Sequence, residues 1–327
     1  MILPPLVADG IAYGSGLALL ACGITLIYMT TRTFNFAHAS MSTWGLFVIY
    51  TGYYLSGLSP YTFFPLAFLL GAGQGLVWYI ICNRYLLRRG ADETVLMMST
   101  LGYELLLLSF VQIFADVLTG MGAYPRLITM SETDFQILGM RAITVLSLIS
   151  AIAILATLHL YLTRTKFGLA IRATVENTSL AGVTGINAEK VYLTAWILGS
   201  GLAGLGGAYV GMVATGGPVL GWNIIVPMFA ASILGGLYSI YGGIVGGYIV
   251  GLAEYVGLQL LALVVGFGIL PYKPIIPLAI MAIVLLVLPQ GLAGLTREHL
   301  KKLVMKETWI GLGQRGSRRI AQLVRRG

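Results

Sequence analysis

The chain has 327 residues, of which 57% are hydrophobic, only 10% are charged and 43 are glycine. Soluble globular chains carry about a quarter charged residues, so this composition excludes an ordinary soluble enzyme, a disordered chain and a disulfide scaffold; Cys22 and Cys82 both sit in apolar runs. The net charge of +8 is concentrated at one end, with nine Lys/Arg against two acids in 296–327 and a nearly neutral body before it, which fits a membrane protein with a basic tail at an anionic surface better than a nucleic-acid binder.

A span needs about 20 mostly apolar residues. Stretches of that kind cover 8–30, 39–56, 61–82, 94–115, 142–162, 191–214, 223–239, 243–267 and 273–290. Runs this long are helices, since lipid leaves no backbone polar group unpaired and barrel strands alternate instead. The expected fold is all-α, a polytopic transmembrane bundle of about nine spans over 1–295, followed by the basic tail 296–327. The first stretch lacks a basic flank before it and reads as a span, not a signal peptide. Lys and Arg are retained on the cytoplasmic side. With the N-terminus outside, Arg32, Arg84, Arg88, Arg89, Arg164, Lys166, Arg172, Lys190 and the tail fall inside, against Arg126, Arg141 and Lys273 outside. The expected orientation is N-out, C-in.

Two segments interrupt the pattern. Thr31–Ser40 (TRTFNFAHAS) is too polar for lipid, and Gly235–Gly247 (GGLYSIYGGIVGG) holds six glycines. One reading makes them interrupted or re-entrant helices lining a path, as in transporters; the other makes them tight turns at the cytoplasmic surface. On the first reading Asn35, Phe36, His38, Gly235 and Gly236 are pathway candidates. Glycine pairs four residues apart (Gly71/Gly75, Gly207/Gly211, Gly243/Gly247, Gly247/Gly251) let helices approach closely, within the chain or between chains. No convincing repeat relates the two halves.

Glu104 and Glu254 lie well inside apolar runs, and Asp9 at the start of the first. An ionisable group at such depth costs about 2.5 kcal/mol or more, so it faces protein or water. Each carboxylate is open to a structural bond or a functional role, with Glu254 kept as a pathway candidate. No Gly-Lys dipeptide occurs, so there is no phosphate-cradling loop of that type. GSGLAG at 199–204 spells a dinucleotide fingerprint but lies inside a span with no preceding strand. His38, His159 and His299 are scattered, and no nucleophile constellation is legible, which argues against a membrane-embedded enzyme.

The longest cytoplasmic connection before the tail is 163–190, TRTKFGLAIRATVENTSLAGVTGINAEK. Apolar and polar residues alternate there at near-helical spacing, and Thr178 and Ser179 are placed to cap a second short helix that Gly182 and Gly185 would end. Such a helix suits a groove on a soluble partner or the bilayer surface.

In order along the chain, GITLIY at 23–28 runs into FNFAH at 34–38. Gly168–Asn187 carries Arg172-Ala173, Glu176-Asn177, Ala181 and Gly185-Ile186-Asn187. A small-residue helix follows over Leu198–Gly207, then LGG-x-x-S-I-x-G-x-x-x-GG at 234–247, GL-x-E at 251–254 and PQGL at 289–292. With these motifs the chain resembles the permease subunits of branched-chain amino-acid ABC transporters from Gly16 to Leu295. The resemblance implies a non-enzymatic, multi-pass pathway subunit of the prokaryotic cytoplasmic (inner) membrane. It needs no cofactor of its own, since ATP is used by partner subunits. Those partners would be two cytoplasmic ATP-binding subunits, a second permease, related or identical, and an extracytoplasmic solute-binding protein, with membrane lipid around it and no nucleic acid.

The resemblance also makes the short cytoplasmic helix a coupling helix seated in an ATPase groove, with Arg172, Glu176, Asn177, Ala181, Gly185 and Ile186 as coupling residues. A bulky charge at Ala181 is then expected to uncouple assembly while the fold survives. Importer permeases commonly carry Glu-Ala-Ala…Gly there; this chain has Ser179-Leu180-Ala181, with Gly185 at the expected distance. Ala39-Ser40 after the histidine is a second departure, where the family usually has Gly and then an acidic or aromatic residue. The solute expected is a branched-chain or hydrophobic amino acid, or a similar small polar solute. The competing class is an ion-coupled transporter or channel working without ATPases through Glu104 or Glu254.

Overall fold

The computed structural model describes residues 4–137 and 139–294; the tail at 296–327 lies outside the described residues. Thirteen α-helices carry almost all of the architecture. They are α1 (Pro5–Thr31), α2 (His38–Ser56), α3 (Phe64–Trp78), α4 (Arg84–Arg88), α5 (Glu93–Gly120), α6 (Ala142–Arg164), α7 (Lys166–Glu176), α8 (Thr178–Val183), α9 (Ala188–Val213), α10 (Leu220–Gly235), α11 (Ile240–Leu252), α12 (Leu258–Val265) and α13 (Ile275–Val287). A two-stranded hairpin, β1 (Gln136–Ile137) and β2 (Met140–Arg141), precedes α6. All nine apolar stretches are helical. Among the described residues, seven helices are long and apolar enough to cross a membrane. The other two, α2 and α10, begin inside the bundle.

The centre is built on α1 and α9. Both are apolar or small on every face, which is the pattern of a helix buried all round, and almost all of α1 from Ala8 to Thr31 is out of solvent. They run antiparallel, with Gly16 against Val210 and Gly23 against Gly199. Around them α5, α6 and α13 each bury one stripe and leave large apolar side chains outward, such as Phe110, Ile152 and Leu286. That apolar exterior is what a lipid-facing surface requires. The four-residue glycine pairs are spent within the chain: Gly71 and Gly75 face Ser200, Gly207 and Gly211 face Ser42 and Leu46, and Gly247 and Gly251 face Ala18 and Gly14. At the α2–α9 crossing the backbones touch so closely that a Cβ at Gly45 would strike the Gly204 carbonyl.

The bundle uses one plan twice, in opposite directions. A long buried helix (α1, α9) ends in a break that turns back into the bundle (32–37, 214–219). A helix then starts inside (α2, α10), followed by one that continues into a π-helical turn, Tyr79–Asn83 after α3 and Ala253–Gly257 after α11. At the first break Arg32 takes a left-handed conformation, φ 55°, and reverses the chain. The His38 Nε2 atom then lies 2.9 Å from where a Cβ would stand on Gly23, eight residues before the end of α1, or about 12 Å back along it at 1.5 Å per residue. At the second break Gly216 pairs with Ile128, and the Gly221 amide of α10 donates to Thr43 Oγ1 of α2 at 2.9 Å. The starts of α2 and α10 therefore meet inside the protein. With 16 residues, α10 covers about 24 Å, short of a hydrocarbon core of about 30 Å. The sequence hides this inverted plan because it is carried by where helices break, not by matching residues.

The cations are sorted by end. Arg141 pairs with Asp9 near the start of α1, Lys273 lies over the Tyr13 ring, and Arg126 pairs with Asp116 at 2.5 Å. At the other end Arg32 packs on Tyr238, and Arg84 and Arg88 both pair with Glu189 at the start of α9.

Candidate solute path and coupling segment

The polar break between α1 and α2 is held at depth by α5. Thr100 and Glu104 lie one turn apart on the buried stripe of that helix. The Phe36 amide donates to Thr100 Oγ1 at 3.2 Å, and that hydroxyl lies 3.0 Å from the Phe34 carbonyl. The Ser40 amide donates to Glu104 Oε2 at 2.9 Å and the Ser40 hydroxyl to Oε1 at 2.7 Å. Ser40 is in the first turn of α2, where unpaired N–H groups and the helix dipole favour an anion. Glu104 is thus the N-terminal cap of a helix that begins inside the bundle. Reading single residues cannot pair positions 64 apart; the i, i+4 spacing of Thr100 and Glu104 on a buried stripe was the available signal.

Asn35 and His38 are fully buried. The Asn35 amide nitrogen lies 3.5 Å from His38 Nδ1, while Asn35 Oδ1 and His38 Nε2 have no hydrogen-bond partner among the described residues. The Phe36 ring packs on Phe229 of α10, centroids 5.3 Å apart. One turn further on, Thr25 of α1 and Ser232 of α10 share a hydroxyl bond of 2.9 Å. A polar seam therefore runs between α1, the break and α10.

The other pathway candidates are elsewhere. Gly235 and Gly236 form the α10–α11 turn at the end that carries Arg32; Gly236 has φ 97° and rests on the Gln290 carbonyl. Glu254, 2% exposed, sits in the π turn after α11. It faces the Tyr13 hydroxyl and the Lys273 ammonium, and that ammonium lies 4.8 Å and 4.4 Å from the Tyr13 and Tyr255 ring centres. Tyr13 and Gly23 are ten residues apart on α1, so Glu254 stands about 15 Å from His38 along that axis. The candidates thus mark three levels along the bundle and do not make one pocket. Lys273 lies in the connection between α12 and α13, just before the membrane-crossing helix starts at Ile275, and burial holds its ammonium below the ordinary lysine range against the opposing pull of Glu254.

The 163–190 segment folds as two short helices. Thr165 caps α7 through the Gly168 amide at 3.1 Å, and Asn177 caps α8 through the Leu180 amide at 2.9 Å. The α8 cap is Asn177 rather than Thr178 or Ser179; the Thr178 hydroxyl turns back to donate to the Thr174 carbonyl at 3.0 Å. Gly182 lies within α8, and the reversal falls at Gly185, φ 84°. Arg172 donates to the Leu162 carbonyl at 2.6 Å, and the Ile186 amide donates to the Ala181 carbonyl at 3.0 Å. Glu176 points to solvent. Ala181 is 4% exposed, so a charge there would strike the segment's own packing. On α8 the outward apolar groups are Leu180 and Val183, 63% and 87% exposed, and on α7 it is Leu169.

Residues 6–286 match the family model described as "Branched-chain amino acid transport system / permease component". The chain belongs to that family. Among similar curated proteins, the probable branched-chain amino acid transport permease protein LivH of Methanocaldococcus jannaschii is 39% identical over 295 residues, covering 90% of this chain and 93% of that one. The high-affinity branched-chain amino acid transport system permease LivH of Salmonella typhimurium is 27% identical and BraD of Pseudomonas aeruginosa 25%, each covering 88% of this chain and 94% of the relative. No solved structure matches the chain. A transport permease of the inner membrane, crossing it several times, accounts for both the match and the apolar helices.

Proposed function

We propose that this chain is the membrane-spanning permease of an ATP-binding-cassette importer for branched-chain or other hydrophobic amino acids, or a similar small polar solute. It pairs with a second permease, related or identical. Two cytoplasmic ATP-binding subunits supply the driving force, and an extracytoplasmic binding protein delivers the solute. The chain performs no catalytic step and holds no cofactor; ATP is consumed by its partners. Its N-terminus is outside and its described C-terminal end inside, a reading supported by eight Lys/Arg in the connections at one end against three at the other. The chain makes nine passes between the two ends, seven by whole helices and two by a break followed by α2 or α10.

The observation that carries the reading is the pair α7–α8. Leu180 and Val183 stand out as exposed apolar side chains on a cation-rich polar end, on a helix capped at Asn177 and closed at Gly185. Apolar groups kept out of the core on a short, well-capped helix fit a groove on a soluble partner. Closing ATPases would push α8. The motion would pass through α7, anchored on α6 by Arg172 and Leu162, to the seam of Asn35, Phe36 and His38 and to the Gly235–Gly236 turn. Against an ion-coupled transporter, both Glu104 oxygens accept from Ser40, which accounts for that buried carboxylate as a helix cap.

The test is co-purification of the two ATPases in mild detergent. Leu180→Glu with Val183→Glu should reduce ATPase recovery at least ~10-fold, the loss expected when a buried apolar anchor is replaced by charge, while the permease elutes as the folded species. Full recovery of ATPases with the double variant would contradict the reading.

A further inference from the structure

At the cation-rich end a groove of ≈ 600 Å³ opens between the last turns of α6, the helix α7 and the α10–α11 turn. Its polar rim is formed by Arg172, His159, Tyr238, Ser239 and Tyr241, and its floor by apolar residues that include Leu155 and Ile244. No carboxylate lines it among the described residues. Arg172 spends one N–H on the Leu162 carbonyl and has no acidic partner among the described residues, so the rest of its guanidinium fork remains available to an anion. The Tyr238 oxygen accepts from Arg32, and the Ser239 oxygen accepts from the Gly242 amide at 3.2 Å. Both hydroxyls therefore keep a proton to donate. Tyr241 is fixed by its bond to His159. The rim is a donor set with net positive charge.

The groove does not end at the rim. Tyr241, Val245 and Ile249 follow one another at four-residue spacing on one face of α11 and are 53%, 49% and 42% exposed. On α6, Ile152 lies seven residues before His159, on the same helix face, and is 58% exposed. This apolar strip leads from the cationic rim toward the middle of the bundle, the direction a lipid chain takes from its headgroup. A soluble anion would gain nothing from it. Charge and apolarity are thus laid out in the order of an anionic phospholipid, at the end where Lys and Arg accumulate and where anionic lipid attracts basic segments.

We propose that this groove is a binding site for an anionic phospholipid of the cytoplasmic leaflet, its phosphate on Arg172, Tyr238 and Ser239 and an acyl chain along Val245 and Ile249. Because the groove is shared by α7 and the α10–α11 turn, a bound lipid would brace the coupling segment against the bundle. The site takes no solute and is independent of which solute the permease carries.

The experiment uses the full chain, purified with whatever subunits accompany it and exchanged into mixed micelles of phosphatidylglycerol and phosphatidylcholine at equal mole fraction. Bound lipid is then read by native mass spectrometry. The wild type should retain phosphatidylglycerol over phosphatidylcholine by ~10-fold, since either phosphate can pair with Arg172 but the choline cation meets a cationic rim with no carboxylate. Arg172→Gln should bring that ratio close to one, and Arg172→Lys should keep part of it. Val245→Trp, which fills the strip, should lower retention of both lipids. Arg89→Gln, at the same end but stacked on the Tyr85 ring at 4.2 Å, should change nothing. If Arg172→Gln does not fold, Val245→Trp and Tyr238→Phe carry the test, the latter with a ~3-fold loss of preference. Wild-type retention in all the groove variants that fold would overturn the proposal. So would displacement of phosphatidylglycerol by millimolar inorganic phosphate, which would mark a soluble-anion site.

Discussion

Glu104 and Glu254 are two carboxylates that the bundle buries almost completely, and they are held in different ways. Both oxygens of Glu104 accept hydrogen bonds from Ser40, at the positive end of a helix that begins inside the protein. Glu254 has one oxygen without a partner among the described residues and shares its surroundings with the Tyr13 hydroxyl and the Lys273 ammonium, close to the end where α1 begins. Depth alone therefore does not assign a role to an acid in a span. The first carboxylate supports the fold of the break, and the second belongs to a polar cluster near the cation-poor end.

The largest effect should come from Glu104→Ala, which strips the cap and leaves two Ser40 donors buried. At about 1.5–3 kcal/mol for each bond to a charged group, a loss of about 3–6 kcal/mol is expected for the two, measured as a fall in thermal midpoint in detergent. Glu104→Gln keeps one acceptor but turns an NH2 toward Ser40, so about 1–3 kcal/mol should be lost. Glu254→Gln should cost less, about 1–2 kcal/mol, because the amide oxygen still accepts from Tyr13 and only the charge facing Lys273 is lost. If Glu254→Gln proves as damaging as Glu104→Ala in the same melt, the contrast between the two sites is wrong.

The smallest effect concerns Lys273. Burial holds its proton less tightly in the fold than in the unfolded chain, whose value is near 10.5. Between the depressed value and 10.5 the unfolded chain binds more protons, so stability should rise with pH across that window. Lys273→Met should abolish the rise. A wild-type stability that falls with pH there, with Lys273→Met flat, would show that Glu254 outweighs burial.

Much of this architecture could be read before the fold was known. Long apolar runs place helices because a bilayer admits little else, and all nine predicted stretches are helical. The polarity of Thr31–Ser40 marked a break, but its depth depends on Arg32 reversing the chain and on clips from Thr100 and Glu104, contacts between residues about 64 positions apart. The inverted plan of α1–α3 and α9–α11 escaped notice because helix starts and π turns leave no shared motif. In the coupling segment the spacing gave a second short helix, while the cap fell one residue early, at Asn177. Which face looks outward was not legible: Ala181 is buried and Leu180 and Val183 are not, a matter of how α8 docks on the bundle.

On the proposed function, this permease has no driving force of its own and takes it from ATPases seated on α8. Uptake of radiolabelled leucine should be measured in proteoliposomes containing the permease pair and binding protein, with and without the ATPases, under ATP or under an imposed proton or sodium gradient. Accumulation should require both the ATPases and ATP, and should fail with Leu180→Glu and Val183→Glu. Uphill leucine uptake driven by an ion gradient in vesicles lacking the ATPases would contradict the account.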